Sequence, residues 1–278
     1  MSDIEHGSIV KIGTTKWCLK SPLLVSHGIR AIEYYRHGRP DAYYRRLPMP
    51  WITLVITLGA VGEWRDPGGA WQPFPRLTIR GHGGRWTEGR DDPFGESEYL
   101  TAIIDPLAFR VIGGVSAASI AGRFTAVEDL PHFRERLRLE QLHAWPTPAA
   151  KMLTFADALI AGSDSRAEHS TAFFVRNTLR KGVSVGDVAN QIGCSERRLR
   201  QNFIEAVGLS PKTWQRLDRF ASSLMMLHPQ FASPDFGRAD WFFDQSHFIH
   251  DFRHFSGTTP GDYARQKARG DARLFLAD

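Results

Sequence analysis

The sequence is poor in cysteine and has no long apolar run, and each absence excludes a class of protein. Its 278 residues include two cysteines, Cys18 and Cys194, far apart in the chain. They cannot build a disulfide framework or a zinc site, and they suit a reducing compartment. No stretch approaches the roughly 20 apolar residues of a membrane span, and the acidic start Met1–His6 is unlike a signal peptide. We therefore expect a cytoplasmic protein without a membrane partner.

Motifs of catalysis and cofactor binding are also missing. No Gly-x-Ser-x-Gly elbow occurs, and the glycine-rich segment Gly81–Gly84 lacks the lysine and serine of a phosphate-binding loop. His27, His37 and His82 stand alone, without the paired spacing that a metal site in a β-barrel needs. We predict a protein that is not an enzyme and has neither a cofactor nor a metal.

What the sequence does contain is a pattern that occurs twice, 49 residues apart, in its last third. The first copy consists of Ser195, Leu199, Phe203, Gly208, Ser210, Pro211 and Trp214. The second consists of Asp244, Phe248, Phe252, Gly257, Thr259, Pro260 and Tyr263. A capping side chain, an apolar pair four residues apart and a terminal glycine predict a short helix with one buried side. The polar residue and proline that follow predict the start of the next helix.

The segment before the first copy predicts another helix. Ser184 is a good N-cap, Gly193 ends the segment, and apolar residues between them have helical spacing at Val185, Val188, Ala189 and Ile192. The result is a helix, a short turn and a second helix. This is the helix-turn-helix plan, in which the second helix can enter the major groove of DNA.

The exposed side of the first predicted recognition helix is rich in hydrogen-bond donors. It carries Arg197, Arg198, Arg200 and Gln201. Arginine can bind guanine through two hydrogen bonds, and glutamine can bind adenine. On its own, such a helix is more often a solvated amphipathic surface, and the duplicated pattern around it favours DNA. The second helix is less basic, with one arginine, Arg253.

The stretch from about Ala167 to Lys267 resembles the DNA-binding domain of AraC/XylS-type transcriptional regulators. The positions that carry the resemblance are Ala189, Gly193, Leu199, Phe203, Gly208–Pro211, Arg219, Asp244–Phe248, Phe252, Gly257–Pro260 and Tyr263. The resemblance implies two helix-turn-helix units joined by a long helix. By position, it implies that bases are contacted by Arg197, Arg200, Gln201, Gln245, Ser246 and His250. Arg198 and Arg253 are the candidates for phosphate contacts.

The sequence departs from the family pattern in the second unit. Gly237 and Trp241 replace the alanine and glycine that the first unit has at Ala189 and Gly193. A tryptophan is a poor residue for a turn that needs positive φ, so we expect altered turn geometry. An alternative function follows, namely an interaction protein whose degenerate second unit binds specific DNA weakly. A DNA-repair methyltransferase is a further class with such a domain, but it needs a cysteine cluster that this sequence lacks.

The predicted connecting helix has a length that suits DNA. Apolar residues at helical spacing extend from about Pro211 to His228, which is a rod of roughly 27 Å. Adjacent major-groove segments on one face of DNA lie about 34 Å apart. The charge balance is a weaker indication: residues 171–278 hold 15 Lys+Arg against 11 Asp+Glu, so +4 of the net charge of +5 lies there.

The first half of the chain predicts strands followed by helices. Four short apolar runs are separated by Gly, Pro and Asp clusters, which is typical of strands and turns. The runs are Ile29–Tyr35, Trp51–Leu58, Arg76–His82 and Tyr99–Asp105. Helical patterns follow at Leu107–Ile112, Val127–Leu142 and Ala149–Ile160. Aromatic residues such as Trp51 and Tyr34 can be core residues or can line an apolar ligand pocket.

This half is similar to the N-terminal domain of a subset of AraC-type regulators, on the motifs Pro48–Pro50, Gly81, Asp105–Ala108 and Ile112–Ser116. The similarity implies a domain that senses a small molecule or mediates dimerisation. We predict an α+β protein with a β-rich domain and trailing helices at 1–145, a helical linker at 146–166 and an all-α DNA-binding domain at 167–278. The predicted function is a sequence-specific transcription regulator that inserts two recognition helices into adjacent major-groove segments. Double-stranded DNA is the expected partner, and a small-molecule effector, RNA polymerase and a second copy of the chain are further candidates.

Overall fold

The computed structural model describes residues 7–12, 14–37, 43–127, 130–134, 144–161, 171–227, 245–268 and 274–275. Within these ranges, the strands come first and the helices dominate the second half. Every helix in this part of the chain is too short or too polar to cross a bilayer. Cys18 and Cys194 are both free thiols.

The described strands form two sheets. The strands are β1 (Ser8–Ile12), β2 (Lys16–Lys20), β3 (Ile29–His37), β4 (Tyr43–Arg46), β5 (Ile52–Thr57), β6 (Glu63–Arg65), β7 (Trp71–Pro73), β8 (Leu77–Arg80), β9 (Thr87–Arg90), β10 (Ser97–Ile104), β11 (Phe124–Ala126) and β12 (Leu274–Phe275). The large sheet has the antiparallel order β1-β2-β3-β10-β5-β8-β11. The small sheet has the order β12-β4-β9-β6-β7, in which β12 from the end of the chain runs parallel to β4.

The helices lie in two groups. In the first half they are α1 (Pro22–Ser26), α2 (Pro106–Gly113), α3 (Ala117–Ile120), α4 (Pro131–Arg134) and α5 (Pro148–Ile160). In the second half they are α6 (Thr171–Arg180), α7 (Val185–Gln191), α8 (Glu196–Val207), α9 (Pro211–Leu227), α10 (Gln245–Ser256) and α11 (Pro260–Ala268). The β-rich first half and the helical second half confirm the predicted fold class.

The four predicted strands are confirmed as β3, β5, β8 and β10, which are neighbours in the large sheet in the order β3-β10-β5-β8. The predicted helices α2 and α5 are confirmed as well. Of the predicted helix Val127–Leu142, the structure describes Pro131–Arg134 as helical, and residues 128–129 and 135–142 lie outside the described residues. The sequence analysis missed the short strands of the small sheet.

One face of the large sheet is covered by helices of the first half. Because side chains alternate along a strand, Ile32, Leu54 and Leu100 point to the same side, where they pack with Phe109 of α2 and Phe155 of α5. All five side chains are buried. This cluster is the core of the β-rich half.

A second core joins the two halves of the chain. Trp51 and Ile103 from the β-rich half pack in one buried cluster with Phe220 of α9 and with Phe252 and Phe255 of α10. The helical half is therefore packed against the β-rich half through apolar contacts, and burial of large side chains of this kind stabilises by about 1.5–3 kcal/mol for each residue.

The candidate nucleic-acid interface

The first helix-turn-helix unit consists of α7 and α8, and capping residues define both helices. The Ser184 hydroxyl accepts a hydrogen bond from the backbone N–H of Asp187 at the start of α7 (3.1 Å). The Ser195 hydroxyl accepts one from the N–H of Arg198 at the start of α8 (3.3 Å). Gly208 ends α8 with φ +84°, a left-handed conformation that favours glycine. The predicted caps and the predicted end of this helix are thus confirmed.

The buried side of α8 holds the unit together. Leu199 and Phe203 pack with Val188 of α7 and Trp214 of α9 in one apolar cluster. The rings of Phe203 and Trp214 meet edge to face, with 6.1 Å between their centroids. This packing leaves the opposite side of α8 to solvent.

The outward side of α8 is an exposed stripe of Arg197, Arg200, Gln201 and Ile204. Their spacing of three, four and seven residues places them on one face of the helix. Arg198 is exposed beside this stripe. Arg200 forms a surface ion pair with Glu196 (2.6 Å), a kind of contact worth about 0–1 kcal/mol, so its guanidinium can exchange this partner for a base.

In the second unit, α10 has 12 residues, the same length as α8. α10 ends at Gly257, whose φ is +75°, and the Thr259 hydroxyl caps α11 by accepting from the N–H of Asp262 (3.2 Å). Phe252 is fully buried and packs edge to face against Phe220 of α9 (centroids 5.2 Å apart) and Tyr263 of α11 (5.6 Å). The predicted buried side of α10 is confirmed. Asp244, Gly237 and Trp241 lie outside the described residues.

The outward side of α10 is also an exposed stripe. It consists of Ser246, Ile249, His250 and Arg253. Each of these residues lies 49 positions after a member of the α8 stripe, in the same order. Gln245 lies in the first turn of α10, and its side chain is outside the described part of the structure.

Two buried or half-buried ion pairs connect the long helix α9 to its neighbours. Asp218 accepts hydrogen bonds from the Arg180 guanidinium of α6 (2.6 and 3.1 Å). Two residues earlier, Arg216 donates to the Asp251 carboxylate of α10 (2.8 Å). Because residues two apart lie on nearly opposite sides of a helix, α9 is bound to α6 on one side and to α10 of the second unit on the other. α6 in turn packs in the apolar cluster of the first unit.

The loop between β8 and β9, residues 81–86, contacts the C-terminal ends of both recognition helices. A Cβ atom placed on Gly208 would lie 2.7 Å from Cε1 of His82, so the imidazole lies directly against the cap of α8. Leu209 packs equally closely on Gly83. At the other end of the loop, the N–H of Trp86 donates to the carbonyl of Phe255 in α10 (3.2 Å). The loop holds both helices at their ends and leaves their outward stripes exposed.

His82 is a titratable group buried at this contact. It is 1% exposed, and burial lowers its pKa from 6.5 to about 4. The nearby Val207 carbonyl and the more distant Asp105 carboxylate counter this effect in part. Among the described residues, no hydrogen bond of normal geometry reaches either ring nitrogen. The neutral imidazole is therefore the form that fits this interface.

A buried ion pair forms a further contact between the halves. The Arg176 guanidinium of α6 lies 2.5 Å from both carboxylate oxygens of Asp105, the N-cap residue of α2. Burial by itself would raise the pKa of Asp105, but Arg176 outweighs it and the pKa lies below its ordinary value. Asp105 also accepts from the N–H of Leu107 (3.0 Å), so the same carboxylate starts α2 and binds α6.

Comparison with known proteins identifies the helical half. A family model described as a helix-turn-helix domain matches residues 188–266, a range that contains both outward stripes. No curated protein has significant similarity to the chain. The chain therefore carries a helix-turn-helix domain over these residues.

Several solved structures are similar to the chain over most of its length. ToxT from Vibrio cholerae is 11% identical, with 84% of this chain and 97% of ToxT covered and a TM-score of 0.45. ToxT from Vibrio cholerae strain SCE256 bound to an unsaturated fatty acid is 9% identical, with coverage of 84% and 94% and a TM-score of 0.44. The AraC-like transcriptional activator CuxR is 12% identical, with coverage of 82% and 89% and a TM-score of 0.32.

The structure brings most of the predicted contact residues to the two stripes. Arg197, Arg200 and Gln201 share one stripe, and Ser246, His250 and Arg253 share the other. Ile249, an exposed residue of the second predicted helix, and Ile204 were not among the predicted contacts, although the 49-residue offset relates Ile249 to Arg200. It also missed the contact of residues 81–86 with the recognition helices, for which no local pattern exists.

Proposed function

We propose that the protein is a sequence-specific transcription regulator that inserts α8 and α10 into adjacent major-groove segments of double-stranded DNA. The observation that carries the proposal is the pair of outward stripes at equivalent positions of two duplicated helices. Both stripes are exposed although the β-rich half is packed against the ends of the same helices. A domain that binds DNA through these two helices needs their outward stripes exposed, and it needs the helices held in a fixed position.

In this proposal the side chains divide into two roles. Arg197, Arg200 and Gln201 contact base edges from α8, and arginine and glutamine have the donor geometry for guanine and adenine. Arg198, beside the α8 stripe, contacts phosphate. In the second unit Gln245, Ser246 and His250 contact bases, and Arg253, near the C-terminal end of the stripe, contacts phosphate.

The connecting helix supports the two-groove arrangement. α9 has 17 residues, which corresponds to about 26 Å. This length is of the same order as the roughly 34 Å between adjacent major-groove segments on one face of DNA. The ion pairs of Asp218 with α6 and of Arg216 with α10 lie at opposite sides of this helix.

The domain boundaries, the further partners and the cellular location belong to the same proposal. We retain a division into 1–145, 146–166 and 167–278, in which α5 of the middle segment packs into the core of the β-rich half. A small-molecule effector bound by the β-rich half is an expectation from the similarity of that half to sensor domains. Native mass spectrometry of the purified protein would detect such a ligand. Contacts with RNA polymerase and with a second copy are further expectations of the regulator class, as is a cytoplasmic location.

The test is a selection of duplexes from a random library by the full-length protein, followed by footprinting on the selected sequence. Two protected major-groove segments about one helical turn apart are expected. Arg197→Ala should weaken binding to the selected duplex by about 1–3 kcal/mol and relax the preference at one base position. Arg123→Ala is the matched control, since Arg123 is exposed on the β-rich half. Protection of a single segment would favour the alternative, an interaction protein with a degenerate second unit, and the failure to select any sequence would refute the proposal.

A further inference from the structure

The two outward stripes differ most at one pair of equivalent positions. The offset of 49 residues relates Arg197 to Ser246, Arg200 to Ile249, Gln201 to His250 and Ile204 to Arg253. Arg200 lies in the middle of the first stripe, so the residue in the middle of the second is an isoleucine. In α8 the arginine comes first and the isoleucine four residues later, whereas in α10 the isoleucine comes first and the arginine four residues later.

Ile249 is an apolar residue with little cover from the protein. Its side chain is 45% exposed, and its exposed neighbours on the same face of α10 are Ser246, His250 and Arg253. Phe248 and Phe252, which pack with α9, belong to the buried side of the helix, and Ile249 lies at the edge of the outward side, three positions before Phe252. Packing within the chain therefore does not explain the isoleucine.

The chemistry of the major groove supplies a partner. Thymine presents a 5-methyl group there, and it is the only apolar group among the base edges of the major groove, whereas arginine at the equivalent position suits guanine. An isoleucine surrounded by hydroxyl, imidazole and guanidinium groups can contact that methyl group while its neighbours bind polar atoms.

We propose that Ile249 recognises the 5-methyl group of a thymine in the DNA segment bound by the second unit. This inference rests on the proposed function, because it assumes that α10 lies in a major groove. It makes the second unit selective for thymine at the position where the first unit selects guanine through Arg200. The lower charge of the second stripe then reflects a different base preference and not the loss of base recognition.

The experiment replaces one thymine at a time by deoxyuridine in a duplex selected by the wild-type protein. Deoxyuridine keeps every hydrogen-bonding atom and lacks the methyl group. One replacement within the second protected segment should weaken wild-type binding about fourfold, the value expected for a single buried methyl group. Ile249→Ala should bind the thymine duplex about fourfold more weakly than the wild type does and should no longer distinguish thymine from deoxyuridine at that position.

Ile204→Ala is the matched control, because Ile204 is similarly exposed, at 41%, on the other recognition helix. It should keep the full response to deoxyuridine at the thymine assigned to Ile249. Thermal unfolding should show that both variants are as stable as the wild type, since both side chains are exposed. If Ile249→Ala were unstable, the wild-type deoxyuridine series alone would still decide the question.

Two results would overturn the inference in different ways. If the protein selects a sequence but no deoxyuridine position responds to Ile249→Ala, the isoleucine has another role, such as contact with a protein, and the proposed function stands. If no sequence is selected at all, the proposed function fails and the inference fails with it.

Discussion

Acidification should weaken the contact between the β-rich half and the first recognition helix through His82. Below pH 6.5 an exposed histidine binds a proton, whereas the buried His82, whose pKa is about 4, does not. The unfolded chain therefore binds more protons than the folded one between these two values. The free energy of unfolding falls as the pH drops from about 6.5 to about 4, and above pH 6.5 the contribution of the neutral imidazole is fully present.

The size of this effect follows from the two pKa values. Each pKa unit corresponds to about 1.4 kcal/mol, so the difference between 6.5 and about 4 allows a loss of about 3 kcal/mol. A typical domain is stable by about 5–15 kcal/mol, which makes this loss measurable. Because His82 lies against Gly208 at the end of α8, separation of the loop from that helix would expose the imidazole and relieve the cost of protonation.

The assay is urea unfolding, followed by circular dichroism, of the wild type and His82→Leu at several pH values between 4.5 and 7.5. Leucine has a similar volume and no group to protonate, so the variant should lack the part of the pH dependence that belongs to His82. His250→Gln is the control, since the His250 side chain is 75% exposed, and it should keep the wild-type dependence. Equal slopes for His82→Leu and the wild type would refute the reasoning, because His82 could not then be the titrating group.

Three further predictions test the helical half. Leu199→Ala should lower the free energy of unfolding by about 2–5 kcal/mol, because Leu199 is buried between α7 and α9; an unchanged denaturation midpoint would contradict its place in the core. Arg198→Ala should reduce the salt dependence of DNA binding by about one phosphate contact, measured from binding isotherms over a salt series, and an unchanged slope would remove Arg198 from the phosphate contacts. Asp251→Ala should leave Arg216 without its partner and should weaken binding more than its small stability loss explains, which unfolding and binding measurements on the same variant would separate.

The features that were predictable from sequence are those whose causes are local. Ser195, Gly208 and Pro211 act through their own backbone, as an N-cap, a left-handed terminus and a first helical residue, so their order along the chain predicted α8 and the start of α9. The strands β5 and β10 were predictable because they are apolar and lie in the middle of a sheet.

The features that were not predictable depend on residues far apart in the chain. Nothing near Arg45 indicates that its guanidinium donates to the carbonyl of Ser256 (3.2 Å), 211 positions away. The short strands β4 and β9 contain several arginines, and they are strands because they pair with each other, not because of their own composition. Ile249 is a different case, since alignment of the two copies would have placed it opposite Arg200.

The contact of residues 81–86 with both recognition helices has a consequence for how such a regulator can change over evolutionary time. Gly208 meets His82 at one end of this loop, and Gly257 meets Trp86 at the other. Under the proposed function, the separation between the two DNA segments therefore depends on the length of a loop in the other half of the chain. An insertion in this loop should displace one helix relative to the other, so we expect loop length and operator spacing to be inherited together and to change together.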